Sequence, residues 1–391
     1  MSASPPDVTS IAVLGAGSMG HGIAEVAALA GYEVRLRDID EETVGRGYDR
    51  LTWSVEKLAE SGRLTDDEAT ATLERIEPIV DLGTALDGVD VVIEAVPERL
   101  DLKKQVFAEV VDHAPADALF ATNTSTLSIT ELAAATDRPA DFCGMHFFNP
   151  PVRMPLVEVV AGEQTSEETL ARATALVDSF EKTPIRVHRD EPGFVVNRVL
   201  VPLLNEAGWL VEMDAASVAE VDSTAKHDLE LPMGCFELLD QIGIDVIVDV
   251  LDYMAATLGD GYRSCPQFTA RVEDADFGKK SGRGFYDWED GGASIPVDEG
   301  RTVVRDRLVA VAINETAKLV AADVAPPETV DEGLVLGAGF PVGPTELAAG
   351  VGYQRTYDTL AELFAETGLA RYEPHEQHEQ WANQGGPDIP A

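Results

Sequence analysis

The run "SIAVLGAGSMGHGIAEVAALAGYEVRLRDID", Ser10 to Asp40, decides the architecture of the amino-terminal part of the chain. Ile11 to Leu14 form a short apolar strand, which "GAGSMG" breaks with a tight turn. From Ser18 to Ala30 alanine dominates, with Met and Ile at helical spacing, and Gly31 stops that helix. Glu33 to Arg37 then alternate as a second strand, with Asp38 at its end. Strand, glycine turn, helix and a second strand ending in an acid is the order that cradles a dinucleotide. Gly15 permits the turn, Gly17 lets the backbone approach a pyrophosphate, and Gly20 lets helix and strand pack closely. Ser18 and Met19 open the helix, where unpaired N–H groups and a partial positive charge suit phosphate. Asp38 can accept from both ribose hydroxyls and repels a 2′-phosphate. NAD is thereby favoured over NADP, although Arg35 and Arg37 lie nearby.

Outward from this unit, helical patterns follow from Glu41 to Glu60 and from Thr65 to Arg75. "VDVVIEAVPE" is an apolar run of strand length, Leu100 to Val111 reads as a helix, and "ALFATNTS", "DFCGMHF" and "PLVEVV" supply further strands. Strands alternating with helices predict an α/β domain, a doubly wound parallel sheet to about residue 188. After "TPIRVHRDEPGF" the strand signals vanish and long apolar helical patterns take over, a boundary near residue 190. The all-α part repeats: "VVNRVLVPLLNEAGWLVE" at 195 matches "VRDRLVAVAINETAKLVA" at 304, an offset of 304 − 195 = 109. The same offset sets Asn205, Asp222, Pro232, Gly234 and Glu237 against Asn314, Asp331, Pro341, Gly343 and Glu346. The expected domains are 1–189, 190–290 and a second helical copy over 298–391. "GKKSGRGFYDWEDGGASIP" between the copies reads as a linker, and "EQHEQWANQGGPDIPA" as a loosely ordered tail.

Composition narrows the function. The 391 residues carry 70 Asp and Glu against 29 Lys and Arg, a formal net charge of −41. Such a surface repels nucleic acid and anionic lipid, and it repels itself, which concentrated salt relieves. A haloadaptive surface is the favoured reading; an acidic protein of ordinary-salt cytoplasm is the other. Three widely spaced cysteines, Cys143, Cys235 and Cys265, give neither a disulfide framework nor a metal pattern. "MSASPPDVTS" lacks the basic and apolar regions of a signal peptide and reads as a short tail. No apolar run approaches the roughly 20 residues a membrane helix needs. The expectation is a soluble, cytoplasmic protein with no nucleic-acid or membrane partner.

Within "GMHFFNPPVRMPLVEVV", Gly144 to Val160, Glu158 interrupts an apolar strand twelve residues after His146. Pro150, Pro151 and Pro155 forbid a continuous helix between them, so any meeting is across a turn. A carboxylate there needs a partner, and an imidazole is one, with the carboxylate fixing its tautomer and offsetting an imidazolium. Spacing alone leaves open whether they pair or Glu158 points outward. "ATNTSTLSIT" is equally divided between a helix-capping cluster and hydroxyls that reach a substrate oxygen.

Together these stretches resemble the L-3-hydroxyacyl-CoA dehydrogenase family. "GAGSMGHGIA", "IEAVPE", "NTSTLSIT", "HFFNP", "LVEVV", "PGFVVNR", "FELLDQIG" and "KKSGRGFYDW" stand in the family's order over about residues 10 to 288, and the second copy extends the likeness to about 365. The resemblance is to 3-hydroxybutyryl-CoA dehydrogenase-like members with a duplicated helical domain. It implies a Rossmann-type amino-terminal domain and NAD-dependent interconversion of (S)-3-hydroxyacyl-CoA and 3-oxoacyl-CoA, as in fatty-acid beta-oxidation or 3-hydroxybutyryl-CoA metabolism. By resemblance, His146 matches the general base and Glu158 the acid that orients it, while Ser125 and Asn197 match the groups that hold substrate. Asp38, Glu98, Lys103, Asn149 and Lys280 match cofactor-side residues, and Ser54 falls where members contact coenzyme A. Ser61 stands where some members use a lysine, and Arg63 is the candidate substitute. Asp306 replaces Asn197 in the second copy, which implies one active site. Single-copy members resemble dimers joined through their helical domains, so this chain is expected either to pair its own copies or to form a homodimer. A dehydrogenase of free hydroxy acids on the same framework is the alternative.

Overall fold

The structure, a computed structural model, describes residues 8–388. Most of "MSASPPDVTS" and the last three residues lie outside that range. The chain divides into two compact units, one ending at Glu191 and the other beginning at Pro192.

The first unit is a single eight-stranded sheet flanked by helices. Its strands are β1 (Ser10–Leu14), β2 (Glu33–Arg37), β3 (Ile76–Ile79), β4 (Val91–Glu94), β5 (Leu119–Thr122), β6 (Phe142–Phe147), β7 (Leu156–Val160) and β8 (Thr183–Val187), in the order 3-2-1-4-5-6-7-8. The helices are α1 (Gly20–Leu29), α2 (Glu41–Glu60), α3 (Asp66–Glu74), α4 (Leu82–Leu86), α5 (Leu100–Val111), α6 (Ile129–Ala133) and α7 (Glu167–Ser179). Local sequence starts several of them. The side chains of Asp40, Ser128 and Ser166 accept from backbone N–H groups in the first turns of α2, α6 and α7, and Thr65 with Glu68 forms a capping box on α3. β1, β4 and β5 are wholly or almost wholly buried, as strands covered by helices on both faces must be.

The sheet is not wholly parallel, contrary to expectation: β7 runs antiparallel to β6. Only eight residues, 148–155, join them, too few for the crossover that a parallel partner requires, so the chain folds straight back. β3, in "IEPI", was not anticipated, because Pro78 and two exposed positions disguise an edge strand.

The second unit contains α8 (Val196–Glu212), α9 (Val218–Ser223), α10 (Cys235–Ile242), α11 (Ile244–Leu258) and α12 (Pro266–Glu273), then α13 (Thr302–Ala321), α14 (Pro327–Ala338), α15 (Pro344–Val351), α16 (Tyr353–Thr367) and α17 (Glu376–Gln384). The two sets use equivalent residues alike. Asn205 donates to the Arg263 carbonyl at 2.9 Å and accepts from Cys265 N at 2.9 Å. Asn314 donates to the Glu373 carbonyl at 3.2 Å and accepts from His375 N at 2.9 Å. Asp222 accepts from Phe236 N at 2.7 Å, and Asp331 from Thr345 N at 3.0 Å.

The copies meet through α8 and α13, and the buried charges there are reciprocal. Arg198 pairs with Glu315, and Arg307, the counterpart of Arg198, pairs with Glu206, the counterpart of Glu315, at 2.5 Å. A tyrosine joins each pair: Tyr262 donates to Glu315 at 2.8 Å, and Tyr372 accepts from Arg307 at 2.7 Å. Burial pushes the Glu206 carboxyl up against the pull of Arg307. Burial acts on Glu315 in the same sense, but Lys318 and Arg198 outweigh it and hold that carboxyl low.

Two expectations fail here. The stretch at 278–296 is anchored, not a free linker: Asp240, wholly buried, accepts from Phe285 N at 2.9 Å, Tyr286 N at 2.8 Å and Trp288 Nε1 at 2.9 Å. Most of the supposed tail is α17, which buries His378 and Trp381. It is the counterpart of α12, displaced by one further residue (370 − 260 = 110 for the preceding turns), so the constant offset ends before it.

Candidate active site

Strand order reverses between β1 and β4, and ligands of such sheets bind in the crevice at the carboxyl ends of the strands there. The glycine loop follows β1. Gly15 has φ +103°, and a Cβ on it would lie 2.5 Å from the Ala95 carbonyl oxygen, while one on Gly20 would lie 1.7 Å from the Gly15 oxygen. Nothing stands within 4 Å of a Cβ on Gly17, so the backbone is open on that side. α1 then starts with no side-chain cap and no acid in its first turn, which leaves N–H groups and the positive end of the helix for an anion. Ser18 is exposed and Met19 half-buried at this start.

Asp38 is held in place before any ligand arrives, accepting from Ala16 N at 2.7 Å and Ile39 N at 2.7 Å. Both nearby arginines are turned to other work. Arg35 donates to the carbonyls of Thr84 and Asp87, and Arg37 to that of Val80 at 3.0 Å. The carboxylate is therefore the charge offered at the second strand's end. Open glycine backbone, uncapped helix and fixed acid together fit NAD.

His146 and Glu158 are directly paired in the β6–β7 register, so their side chains leave the same face of the sheet. His146 Nδ1 lies 2.5 Å from Glu158 Oε2, with Glu158 wholly buried and His146 6% exposed. The Phe148 ring packs 4.5 Å from the imidazole, centroid to centroid. An imidazole so held has its tautomer set by the carboxylate, and the pair can take up or release one proton.

Ser125 lies in the loop after β5 and is held from below. Its N–H donates to Glu98 Oε1 at 2.9 Å, and Thr124 Oγ1 donates to the same oxygen at 2.5 Å. Lys103, 1% exposed on α5, pairs with Glu98 at 3.2 Å and with Glu94 at 2.7 Å. Burial alone would raise the Glu98 carboxyl, but Lys103 and the donors from the loop leave it below the usual carboxylate range. Asn123 accepts from Phe147 N at 2.8 Å and so ties this loop to the end of the histidine strand.

The remaining candidates lie on other elements. Ser54 donates to Glu25 Oε1 at 2.7 Å between α2 and α1, and burial lifts the Glu25 carboxyl to about 7. Asn149 is exposed just beyond β6. Asn197 and Lys280 belong to the second unit: Asn197 is the half-buried second residue of α8, and Lys280 pairs with Asp245 at 2.5 Å. Among the described residues there is no cluster of His, Cys, Asp and Glu able to hold a metal, and no helix long and apolar enough to cross a membrane. Glu94 and Asn123 were missed as site residues. Glu94 gives a signal akin to that of Glu158: one acid closes an apolar strand and the other interrupts one.

Comparison with known proteins agrees with the glycine loop as part of an NAD binding domain. Residues 10–191 match the NAD binding domain of 3-hydroxyacyl-CoA dehydrogenase, and residues 193–288 and 304–387 each match its C-terminal domain. The chain belongs to the 3-hydroxyacyl-CoA dehydrogenase family. A probable 3-hydroxybutyryl-CoA dehydrogenase of Bacillus subtilis (strain 168) is 41% identical over 285 residues, 73% of this chain and 99% of the relative. The crystal structure of 3-hydroxybutyryl-CoA dehydrogenase from Escherichia coli K12 superposes with a TM-score of 0.89 at 30% identity, covering 97% of this chain and 99% of that one. That of (S)-3-hydroxybutyryl-CoA dehydrogenase PaaH1 from Ralstonia eutropha gives 0.70 at 36% identity, covering 72% and 99%. As a member of this 3-hydroxyacyl-CoA dehydrogenase family, the chain is an NAD-dependent oxidoreductase.

Proposed function

We propose that this enzyme interconverts (S)-3-hydroxyacyl-CoA and 3-oxoacyl-CoA of short chain, with His146 moving the proton and Glu158 holding His146. The observation that carries the reading is the buried 2.5 Å contact between His146 Nδ1 and Glu158 in the unit that bears the glycine loop. With Nδ1–H directed at the carboxylate, the proton of the C3 hydroxyl is taken at Nε2. Glu158 then offsets the charge on the imidazolium, which in reduction acts as the acid. When bound, NAD⁺ supplies the acceptor for the C3 hydride. Proton transfer of this kind contributes about 10²–10⁴-fold. The Ser125 hydroxyl is proposed to hold the C3 oxygen, and the resemblance assigns the amide of Asn197 to the same substrate.

The names of the relatives, 3-hydroxybutyryl-CoA dehydrogenases, support the short chain and the thioester. Acetoacetyl-CoA assayed beside free acetoacetate, with NADH and with NADPH, tests both substrate and cofactor. We expect turnover with acetoacetyl-CoA and NADH; faster turnover of free acetoacetate would overturn the substrate assignment.

The reciprocal pairs Arg198–Glu315 and Glu206–Arg307 support a second element of the proposal, that the chain works as a monomer. A symmetric dimer makes such contacts twice across its axis, and here one chain makes both. Light scattering in molar KCl, where the net charge of −41 is screened, should give the mass of one chain. A stable dimer that uses the α8 face would contradict it.

A further inference from the structure

Glu94 closes β4 and is wholly buried, and three donors converge on its carboxylate. Val96 N reaches it at 2.6 Å, Lys103 Nζ at 2.7 Å and Thr122 Oγ1 at 2.6 Å. Lys103 divides its ammonium among Glu94, Glu98 at 3.2 Å and the Val96 carbonyl at 3.2 Å. Glu98 is the member of the group that reaches the surface, 39% exposed, and it carries Thr124 and Ser125. An unbroken series of charge-assisted hydrogen bonds thus runs from the floor of the sheet to the loop after β5. Two carboxylates around one buried ammonium are costly to desolvate, and apolar residues would fill the same volume without that cost. What apolar residues would not do is fix the direction of Glu98, since a lone Lys103–Glu98 contact leaves the lysine able to swing about its long arm.

We propose that Glu94 is a positioning residue of the cofactor site: acting through Lys103, it fixes Glu98 and the Thr124–Ser125 loop in the form that receives NAD. The proposal rests on the reading of these strand ends as the NAD crevice. Held at its inner end by Glu94 and at its middle by Glu98, the ammonium has one orientation, and the loop inherits it.

Glu94→Gln keeps the size and can still accept from Val96 N through its one carbonyl oxygen, with its amide N–H donating to the Thr122 hydroxyl, but offers Lys103 no charge. In the apo protein, amide exchange over residues 123–128 should accelerate about tenfold or more, with β1 changed by less than about twofold. The NADH dissociation constant, from fluorescence titration, should rise about fivefold or more. Glu94→Asp should fall between wild type and Glu94→Gln in both measurements. Lys103→Met should reproduce both changes, and the double variant should lose no more than the worse single one, because the two act in series. Unchanged exchange and NADH affinity in Glu94→Gln, with only a lower unfolding temperature, would overturn the proposal, as would fully additive losses. Should Glu94→Gln not fold, Thr122→Val removes one donor to Glu94 and is read by the same pair of measurements, with smaller changes in the same direction. Neither readout involves an acyl-CoA. Inactivity toward acyl-CoA would therefore contradict the function proposed above and leave this result unaffected.

Discussion

In the first helical copy the second residue of α8 is Asn197, half-buried, whereas its counterpart Asp306 in the second copy is clamped by Arg305 at 2.9 Å and Arg355 at 2.7 Å. Elsewhere the copies agree: Asn205 and Asn314 hold the same turn, and Arg198 with Glu206 mirrors Arg307 with Glu315. The residues kept in both copies are those that hold helices to turns and one copy to the other. The position lost from the second copy is the one assigned to substrate, and it has become an ion pair. The two copies thus share the residues that hold the fold together and differ at the position proposed to meet substrate.

The interface between the copies should give the largest effect when broken. Glu206→Leu leaves Arg307 buried without a counter-charge and should cost about 3–5 kcal/mol, with Glu206→Leu plus Arg307→Met recovering most of it. Denaturant unfolding at fixed salt reads this, and a single variant as stable as wild type would mean that the reciprocal pairs do not join the copies.

Exchanging the divergent residues comes next. Asn197→Asp, which makes the first copy resemble the second, should lower kcat/KM about 100-fold, roughly 2.7 kcal/mol. Asp306→Asn should leave kcat within about twofold while lowering stability by about 1 kcal/mol, as exposed Arg355 loses its partner. Equal losses of activity from both would show that the second copy also serves the substrate.

A smaller difference concerns acid. His378, wholly buried on α17, stands where the first copy has Phe268 (378 − 110 = 268). Burial depresses its imidazole from 6.5 to about 4. The unfolded chain therefore takes up this proton first, so stability is present above about pH 6.5 and is lost as pH falls toward 4. Between pH 7 and pH 5, His378→Phe should gain about 2 kcal/mol relative to wild type. A pH-independent difference would remove His378 as the source.

The glycine loop was legible in the sequence because each of its positions answers a local need: Gly15 the left-handed turn, Gly20 the close approach, Asp38 the strand's end. The reversal of β7 was not, since alternation and apolarity carry no sign of direction and only the eight-residue connection excludes a crossover. Glu94 escaped notice although "VVIEAVPE" shows the same anomaly as "LVEVV". A buried acid declares that it has a partner, but its partner, Lys103, lies on a helix whose facing cannot be read from nine residues away. The last helix escaped because a single inserted residue broke the register by which the repeat was followed.

The proposed chemistry depends on His146 moving a proton while Glu158, on the neighbouring strand, holds the imidazole. His146→Gln assayed with acetoacetyl-CoA and NADH, beside NADH titration of the same protein, tests that most directly. We expect turnover to fall by about 10²–10⁴-fold with the NADH dissociation constant little changed. Turnover near that of wild type would show that the imidazole opposite Glu158 is not the group that moves the proton.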